Sequence, residues 1–327
     1  MKIVILGSGS FAGHIAYYHF LKKGHNVLGI NRSSKKNKNL WPTAIINTFN
    51  GFWLIANIVD DVQVIIEEVN NFCPEIIIDF MGQGMVAPSW ENPSLWYDTN
   101  IVKKTQLLES FAKLPKLKQY IRASTPEVYG SSLEYIQPDA SFNPSTPYAV
   151  SHAAIDFHIR NLGRQYSFPF VLARYSNFYG PGQQLYRVIP KAILCCINKK
   201  SFILDGAGKS FRSFIYADDI LQSLDLIIES EVVQVEFGFS SLEEISIYDL
   251  VKLIYNIDDI DFNSSVVIGP ERLGKDKTYR LDCTTSIKIL NWKPQVSLSN
   301  GLNMTYSWIA SNRESFSSLS WDYIHQN

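Results

Sequence analysis

The chain has 327 residues, and its 30 Lys and Arg against 31 Asp and Glu leave a formal net charge of −1 at pH 7. Hydrophobic residues make up 46% of the chain and aromatic residues 13%, which excludes a disordered or fibrous protein. The balanced charge provides no basic excess for a nucleic-acid partner, and no uncharged apolar run reaches the roughly 18 residues of a membrane span.

The cysteines indicate a reducing compartment. None of them has the spacing of a C-x-x-C motif or a zinc site, and the four are Cys73, Cys195, Cys196 and Cys283. Because such usage is typical of reduced thiols, we expect a cytoplasmic protein with no disulfide framework and no metal.

Short apolar runs alternate with amphipathic stretches through the first half of the chain. The predicted strands are Lys2–Gly7, His25–Ile30, Glu75–Phe80, Gln119–Ser124 and Phe168–Tyr175. The predicted helices are Phe11–Lys23, Val62–Phe72, Tyr97–Leu114 and Tyr148–Tyr166. This alternation predicts an α/β fold with a doubly wound parallel sheet, covered by helices on both faces.

A glycine-rich loop, Gly7–Gly13, joins the first predicted strand to the first predicted helix. Small residues at this position let the backbone approach a pyrophosphate at the helix N-terminus. We therefore assign Gly7, Ser10, Phe11 and Gly13 to a dinucleotide-binding site. Ser10 fills the middle position of a GxxGxxG spacing.

The end of the second strand bears on the choice of dinucleotide. An acidic residue there would accept a hydrogen bond from the ribose 2′-hydroxyl and favour NAD. This chain has Asn31, followed by Arg32 and Ser33, a set that suits a 2′-phosphate. We therefore expect NADP or NAD as the cofactor, with NADP slightly favoured.

The pattern of elements changes after residue 176. Glycine and proline become more frequent and the segments become short and mixed. We predict a dinucleotide-binding domain over residues 1–176, completed by part of 213–240. A smaller α/β substrate-binding domain is predicted over residues 177–212 and 241–327, packed over the carboxyl ends of the strands, where such sheets bind ligands.

Two segments, Ser124–Gly130 and Tyr148–His152, carry a family resemblance. With them the chain resembles the extended short-chain dehydrogenase/reductase family, in its nucleotide-sugar epimerase/dehydratase branch, and the resemblance implies a Rossmann-type sheet. The other matching positions and segments are Gln83, Ser89–Trp90, Asn100, Arg174–Gln183, Phe211–Asp219 and Leu290–Pro294. Asp218 and Asp219 are expected to cap the helix that follows them.

The resemblance implies three catalytic roles. Tyr148 would exchange a proton with the sugar C4 hydroxyl, and Thr125 would hydrogen-bond the same oxygen. Glu127 would remove the C5 proton, as in 4,6-dehydratases, whereas simple 4-epimerases usually lack this glutamate. Some dehydratases place an aspartate before it, where this chain has Pro126.

His152 departs from the family pattern, which has a lysine four residues after the tyrosine. That lysine lowers the tyrosine pKa and holds the nicotinamide ribose. A histidine titrates near ~6.5, so its charge near neutral pH is not assured. We expect a slower or more pH-sensitive enzyme, and the alternative is a chain that has lost catalysis.

The remaining site residues are expected by position in the family. The further cofactor-binding residues are Asn57, Ile58, Gly82, Gln83, Asn100, Tyr148, His152 and Tyr175. The substrate-binding residues are Gln83, Thr125, Asn177, Ile189, Lys191, Leu204, Arg212 and Arg280.

The leading hypothesis is an NAD(P)-dependent enzyme that first oxidises C4 of a nucleoside-diphosphate sugar, with 4,6-dehydratase chemistry favoured. A nucleotide-sugar 4-epimerase or 4-keto reductase is the first alternative. A catalytically impaired dinucleotide-binding member of the family is the second. We expect a homodimer, with no nucleic-acid or membrane partner.

Overall fold

The computed structural model describes residues 1–33, 51–241, 243–270, 278 and 280–323. A seven-stranded sheet organises the first 239 residues, and all its strand pairs are parallel. Its strands are β1 (Lys2–Leu6), β2 (Asn26–Asn31), β3 (Gly51–Ile55), β4 (Ile76–Asp79), β5 (Gln119–Ser124), β7 (Phe170–Tyr175) and β11 (Val235–Phe239). They run in the spatial order β11-β7-β5-β4-β1-β2-β3.

Helices cover both faces of this sheet, as the sequence pattern predicts. They are α1 (Phe11–Lys22), α2 (Val62–Phe72), α3 (Pro93–Tyr97), α4 (Lys104–Phe111), α5 (Pro147–Tyr166) and α7 (Ala217–Ser230). Side chains of β1 alternate between the two faces: Ile3 and Ile5 pack in a core with α1 and α7, whereas Val4 and Leu6 pack in a core with α2, α4 and α5. The predicted doubly wound α/β fold is confirmed.

The other elements form smaller sheets and a further core. They are β6 (Tyr135–Ile136), β8 (Asn177–Tyr179), α6 (Val188–Ile197), β9 (Phe202–Asp205), β10 (Phe211–Tyr216), β12 (Glu244–Ser246), α8 (Ile247–Asn256), α9 (Phe262–Ser265), β13 (Val266–Gly269), β14 (Arg280–Leu281), α10 (Thr284–Leu290), α11 (Leu298–Ser311) and α12 (Arg313–Phe316). A hydrophobic cluster joins α6, α8, α11 and β10. The residue boundaries of the two domains stay a prediction.

The structure differs from the predicted helix Tyr97–Leu114. A π-helical turn, Asp98–Lys103, interrupts the run between α3 and α4. Such turns carry one extra residue per turn and occur often at functional sites. Here the turn places Asn100 inside the protein, with 1% of its surface exposed. Strand β3 was not predicted, although its sequence, Gly51–Ile55, is a short apolar run.

The expectation that Asp219 caps the next helix is wrong. The N-cap residue of α7 is Tyr216, and the Asp219 carboxylate accepts hydrogen bonds from the backbone N–H groups of Gln295 (2.7 Å) and Val296 (3.3 Å). Its carbonyl oxygen accepts a third bond from the Trp292 indole N–H at 3.2 Å. Asp219 therefore fastens the segment after α10 to α7.

We predict that Asp219→Ala lowers the free energy of unfolding by about 1–2 kcal/mol, because the backbone N–H groups of the exposed Gln295 and the half-buried Val296 lose their charged acceptor. The neighbouring Asp218 is exposed, and Asp218→Ala should change stability by less than about 0.5 kcal/mol. Urea unfolding of the two variants checks this, and equal losses would contradict the role given to Asp219.

Candidate active site

The glycine-rich loop has the geometry of a phosphate cradle. Gly7 has φ +76°, and a Cβ there would lie 2.8 Å from the Phe80 carbonyl carbon. A Cβ on Gly13 would overlap the Gly7 carbonyl oxygen. Ser10 is the N-cap of α1, and its Oγ accepts a hydrogen bond from the Gly13 N–H at 3.1 Å. The loop therefore holds its backbone close to any ligand at the start of α1.

A first cavity of about 310 Å³ lies beside this loop. It is lined by eight of the predicted cofactor residues, namely Gly7, Ser10, Asn31, Arg32, Asn57, Ile58, Gly82 and Gln83. Asp60 and Thr99 line it as well and were not predicted from the sequence. Ser33 is not part of this lining and accepts a hydrogen bond from Asn31 Nδ2 at 2.9 Å through its Oγ.

A second cavity of about 580 Å³ shares residues 80–83 and Ser10 with the first. It brings together the four predicted catalytic residues, which are Thr125, Glu127, Tyr148 and His152. It also brings together five other predicted site residues, which are Phe11, Tyr175, Asn177, Ile189 and Arg212. The two cavities together form one continuous cleft at the carboxyl ends of the strands.

Three predicted substrate residues do not line either cavity. Lys191 Nζ lies 2.6 Å from Asp322 Oδ1, so its charge is engaged near the C-terminus. Leu204 is buried in the cluster around α6 and α8. Arg280 pairs with Glu244 at 2.8 Å, a contact that directs its guanidinium to a partner on β12. Family position alone does not bring these side chains to the cleft.

Asn100 supports the floor between the two cavities. Its Oδ1 accepts from the Gln83 N–H at 2.8 Å, and its Nδ2 donates to the Gln83 carbonyl at 3.1 Å and to Ser151 Oγ at 3.0 Å. Ser151 Oγ in turn donates to the Tyr148 carbonyl at 2.7 Å. Asn100 thus lies behind the cleft and joins the Gln83 backbone to the catalytic helix.

Thr125 and Glu127 are held by a single-turn 3₁₀ helix, Pro126–Tyr129. Thr125 is its N-cap, and Thr125 Oγ1 accepts from the Glu127 N–H at 3.2 Å. An accepting hydroxyl retains its own proton, so Thr125 can donate a hydrogen bond to a ligand oxygen. Glu127 lines the same cavity as Thr125.

Tyr148 is the second residue of α5. Thr146 caps this helix through a 3.1 Å bond to the Ala149 N–H, and Pro147 occupies the first turn. The positive end of the helix dipole therefore lies at Tyr148. The ring centroids of Tyr148 and His152 are 4.5 Å apart, one helical turn along.

His152 is a neutral imidazole in this structure. Its Nδ1 lies 3.1 Å from a terminal guanidinium nitrogen of Arg122, and arginine can only donate, so Nδ1 is the acceptor. Burial, followed by the nearby Arg122 charge, lowers the pKa of His152 to about 3. The expectation that the enzyme is pH-sensitive through His152 is therefore wrong near neutral pH.

Arg122 belongs to a buried charge cluster under the cleft, composed of Asp79, Lys104, Arg122, Asp156 and Arg174. Lys104 Nζ lies 2.7 Å from Asp79, and Arg122 reaches Asp79 at 3.4 Å and Asp156 at 3.1 Å. Arg174 contacts Asp156 at 3.0 Å. Burial opposes ionisation of Asp79, but Lys104 and Arg122 outweigh it and hold the pKa of that carboxyl below its ordinary value.

The sequence analysis missed this cluster, although a signal was present. Asp79 ends the apolar run Ile76–Asp79 and Arg122 interrupts the buried strand Gln119–Ser124, and a charge inside such a run needs a partner. The register places these two residues directly opposite each other on β4 and β5.

Several buried polar atoms of the cleft have no hydrogen-bond partner among the residues that the structure describes. They are Thr99 Oγ1, His152 Nε2, Ser176 Oγ and Gln183 Oε1, all on residues that line one of the two cavities. Because buried polar groups in native proteins are almost always paired, a bound ligand is the expected partner. Together with the glycine cradle, these atoms fit a dinucleotide that extends along the cleft.

Comparison with known proteins agrees with this geometry. Residues 3–237 match the profile of the NAD dependent epimerase/dehydratase family. The chain belongs to this family, which is part of the extended short-chain dehydrogenases/reductases, and a nicotinamide dinucleotide is its cofactor. The resemblance drawn from the sequence motifs is confirmed.

Several relatives are dehydratases by name. A human dTDP-D-glucose 4,6-dehydratase is 30% identical over 73% of this chain and 69% of its own length. A Dictyostelium discoideum dTDP-D-glucose 4,6-dehydratase is 25% identical over 98% of this chain and 84% of its own. The chain spans only 37% of a trifunctional Arabidopsis thaliana 4,6-dehydratase/epimerase/reductase, to which it is 28% identical.

Solved structures share the fold over almost the whole chain. A Streptomyces venezuelae dTDP-glucose 4,6-dehydratase with NAD bound has a TM-score of 0.89 at 24% identity, covering 98% of this chain and 100% of its own. A Thermotoga maritima UDP-glucose 4-epimerase with UDP-glucose has a TM-score of 0.83 at 23% identity, covering 96% and 100%. Among the helices that the structure describes, none has the length and apolar character needed to cross a membrane.

The lowered His152 pKa predicts acid sensitivity of the fold. The folded value is about 3, below the ~6.5 of an unfolded chain, so the unfolded state binds a proton more readily between these values. The free energy of unfolding should fall by up to about 1.4 kcal/mol per pH unit below pH ~6.5 from this group.

Urea unfolding at about pH 6.5 and pH 4.5 measures this effect. Between these two values the free energy of unfolding should fall by about 2–3 kcal/mol less in His152→Gln than in the wild-type protein. His158→Gln makes the same substitution on the same helix and should leave the wild-type slope in place. A His152→Gln slope identical to that of the wild-type protein would contradict the assignment.

Proposed function

We propose that this protein is a nucleotide-sugar 4,6-dehydratase that begins with oxidation at C4 of a nucleoside-diphosphate sugar. The observation that carries the proposal is the position of Glu127, which lines the same cavity as Thr125 and Tyr148. The names of the human and Dictyostelium relatives support dehydration. The identity of the base and of the sugar is left open.

The substrate's diphosphate fits the side of the cleft formed by α6 and β10. Arg187 is the N-cap residue of α6, and both Arg187 and Arg212 line the cavity with Asn177. Two guanidinium groups beside a helix N-terminus suit phosphate oxygens, since arginine donates in a planar fork and the helix end is positive. In this proposal Arg187 takes the diphosphate-binding role that family position had given to Arg280.

The C4 step uses Tyr148 and Thr125. The Thr125 hydroxyl donates to the C4 oxygen, and the Tyr148 phenolic oxygen takes the proton of the C4 hydroxyl. A nicotinamide dinucleotide held by the glycine-rich loop, Gln83 and His152 would supply the acceptor for the C4 hydride and the donor of a hydride to C6 after the elimination. Pro147 and the Thr146 cap fix the start of α5, so Tyr148 has a defined position relative to Thr125.

The elimination step uses Glu127. Its carboxylate takes the C5 proton, which is acidic next to a C4 ketone, and the C5–C6 double bond forms as the C6 hydroxyl departs. Pro126 has no proton to donate to that hydroxyl. Glu127 carries a proton after the first transfer and can deliver it to the C6 oxygen, so that water leaves and the carboxylate is restored. The Glu127 carboxylate then takes a proton from solvent and passes it to C5 when a hydride adds at C6.

A 4-epimerase or 4-keto reductase is the alternative, with Glu127 as a bystander, and Pro126 is the observation that favours it. The deciding experiment is incubation with UDP-, GDP-, CDP- and dTDP-sugars and cofactor, followed by mass spectrometry and NMR. A 6-deoxy-4-keto product, lighter by one water, is expected. A C4 epimer without loss of water would support the alternative, and no turnover with cofactor still bound would indicate the impaired member.

We predict that Glu127→Gln abolishes the 6-deoxy-4-keto product and preserves exchange of the C4 hydrogen, because the amide cannot accept the C5 proton. Tyr148→Phe should abolish both reactions and keep dinucleotide affinity within about threefold, since only the phenolic oxygen is lost. Loss of both steps to the same degree in Glu127→Gln would remove Glu127 from the elimination.

The choice between the two dinucleotides rests on the first cavity. Asn31 ends β2 without a negative charge, and Arg32 lines the same cavity, so a 2′-phosphate meets a cation there. Asp60 also lines this cavity, and its carboxylate opposes a phosphate. Asn57 Nδ2 donates a hydrogen bond to that carboxylate at 2.9 Å, and this bond reduces the repulsion between the carboxylate and a phosphate. NADP is therefore the preferred cofactor in this proposal.

Affinities for NADP and NAD measured side by side by calorimetry test the preference. Arg32→Ala should weaken NADP binding about tenfold and leave NAD binding within about twofold, because only NADP carries the 2′-phosphate. Arg164→Ala, an exposed position at the end of α5, is the control for loss of one positive charge. NAD binding as tight as NADP binding in the wild-type protein would overturn this assignment.

A homodimer in the cytoplasm, with a dinucleotide-binding and a substrate-binding domain, completes the proposal. Reduced cysteines support the compartment, and those in the described part of the chain form no disulfide. Sedimentation at micromolar concentration distinguishes a dimer from a monomer.

A further inference from the structure

We propose that Arg122 is a positioning residue for His152, holding its imidazole with the proton on Nε2 as a fixed donor to a ribose hydroxyl of the bound dinucleotide. In this arrangement Arg122 fixes the orientation and tautomer of the ring, and His152 supplies the hydrogen bond. The inference rests on the proposed function for the identity of the ligand, and it adds a residue to the site.

The tautomer follows from the chemistry of the contact. A guanidinium has donors and no acceptor, so the 3.1 Å approach of Arg122 to Nδ1 requires an unprotonated Nδ1. Turning the ring over would place a carbon in front of the guanidinium and lose this bond. A neutral imidazole with Nδ1 unprotonated carries its one proton on Nε2.

The surroundings of His152 reinforce the neutral state. The charged groups around it are Arg122 on β5, Lys104 on α4, Asp79 on β4 and Asp156 on α5. Arg122 and Lys104 oppose a charge on the ring, whereas Asp79 and Asp156 are engaged in ion pairs with those same two cations. Glu236, 2.6 Å from Arg174, is a third carboxylate beside the three cations, so the charges of this cluster balance without any contribution from His152.

The proton on Nε2 has no partner within the described part of the protein. Nε2 is buried and makes no hydrogen bond, while the residue as a whole lines the second cavity with 8% of its surface exposed. An unpaired buried donor is unfavourable, because it has lost its hydrogen bonds to water and gained none in the protein. A ribose hydroxyl placed beside Tyr148 and Gln83 would accept a hydrogen bond from Nε2. This hydrogen bond would strengthen binding of the dinucleotide.

The same geometry disfavours a cation at position 152. A positive charge on this side chain would face the Arg122 guanidinium, whose carboxylate partners, Asp79 and Asp156, are already engaged in ion pairs. Like charges at close range in a dry interior repel strongly.

Nitrogen-15 NMR of the full-length protein labelled at histidine tests the tautomer directly. His152 signals are identified by their loss in His152→Gln. The expected pattern is a protonated Nε2 and an unprotonated Nδ1 that do not change between about pH 5 and pH 8. A protonated Nδ1, or a titration centred near pH ~6.5, would overturn the proposal.

Dinucleotide affinity measured by calorimetry tests the donor. His152→Leu should weaken binding about tenfold through loss of one hydrogen bond, whereas His152→Gln, whose amide can both accept from Arg122 and donate to the ribose, should lose less than about threefold. His158→Gln is the matched control and should bind as the wild-type protein does. Equal affinity of the leucine variant and the wild-type protein would contradict the donor role.

Arg122→Met tests the positioning role. His152 should then show a mixture of tautomers and a pKa closer to its ordinary value, and an unchanged tautomer would overturn the role of Arg122. The wild-type spectrum remains decisive if this variant fails to fold. None of these measurements depends on turnover. If the protein is inactive towards every sugar nucleotide but His152 keeps its proton on Nε2, the proposed function is refuted and the inference about Arg122 and His152 stands.

Discussion

The ion pair between Asp79 and Arg122 is the constraint on which the catalytic side of this structure depends. It joins the central strands β4 and β5, and both residues are almost fully buried. Removing one partner of a buried pair leaves an uncompensated charge, which costs about 3–5 kcal/mol. Lys104 attaches α4 to this pair, and Asp156 attaches α5 and β7 through Arg174. The helices that carry the site are therefore fixed by charges in the sheet itself.

These buried ion pairs account for the histidine that this chain carries four residues after its catalytic tyrosine. Position 152 needs a donor to the dinucleotide, and a neutral imidazole provides one when its other nitrogen is occupied. The charges of Arg122 and Lys104 lie beneath the cleft, paired with Asp79 and Asp156. Burial that would be costly for an isolated cation is offset by two carboxylates. The departure from the family pattern and the charges inside β4 and β5 are two parts of one arrangement.

The sequence predicts the fold well because its strands are continuous apolar runs and its first loop must be small. Thr125, Glu127 and Tyr148 could also be located, since each stands at a fixed distance from a strand end or a helix start. Contacts between segments that are distant in the chain could not be located from the sequence. The facing positions of Asp79 and Arg122 depend on strand register, and the burial of Asn100 depends on a π-helical turn that no periodicity shows. Lys191 has its partner, Asp322, more than a hundred residues away.

The most direct test of the central claim is a neutron diffraction structure of the protein with its bound dinucleotide. The account predicts a deuteron on His152 Nε2, within hydrogen-bond distance of a ribose oxygen, and a bare Nδ1 facing Arg122. A deuteron on Nδ1, or a fully protonated imidazolium, would contradict it.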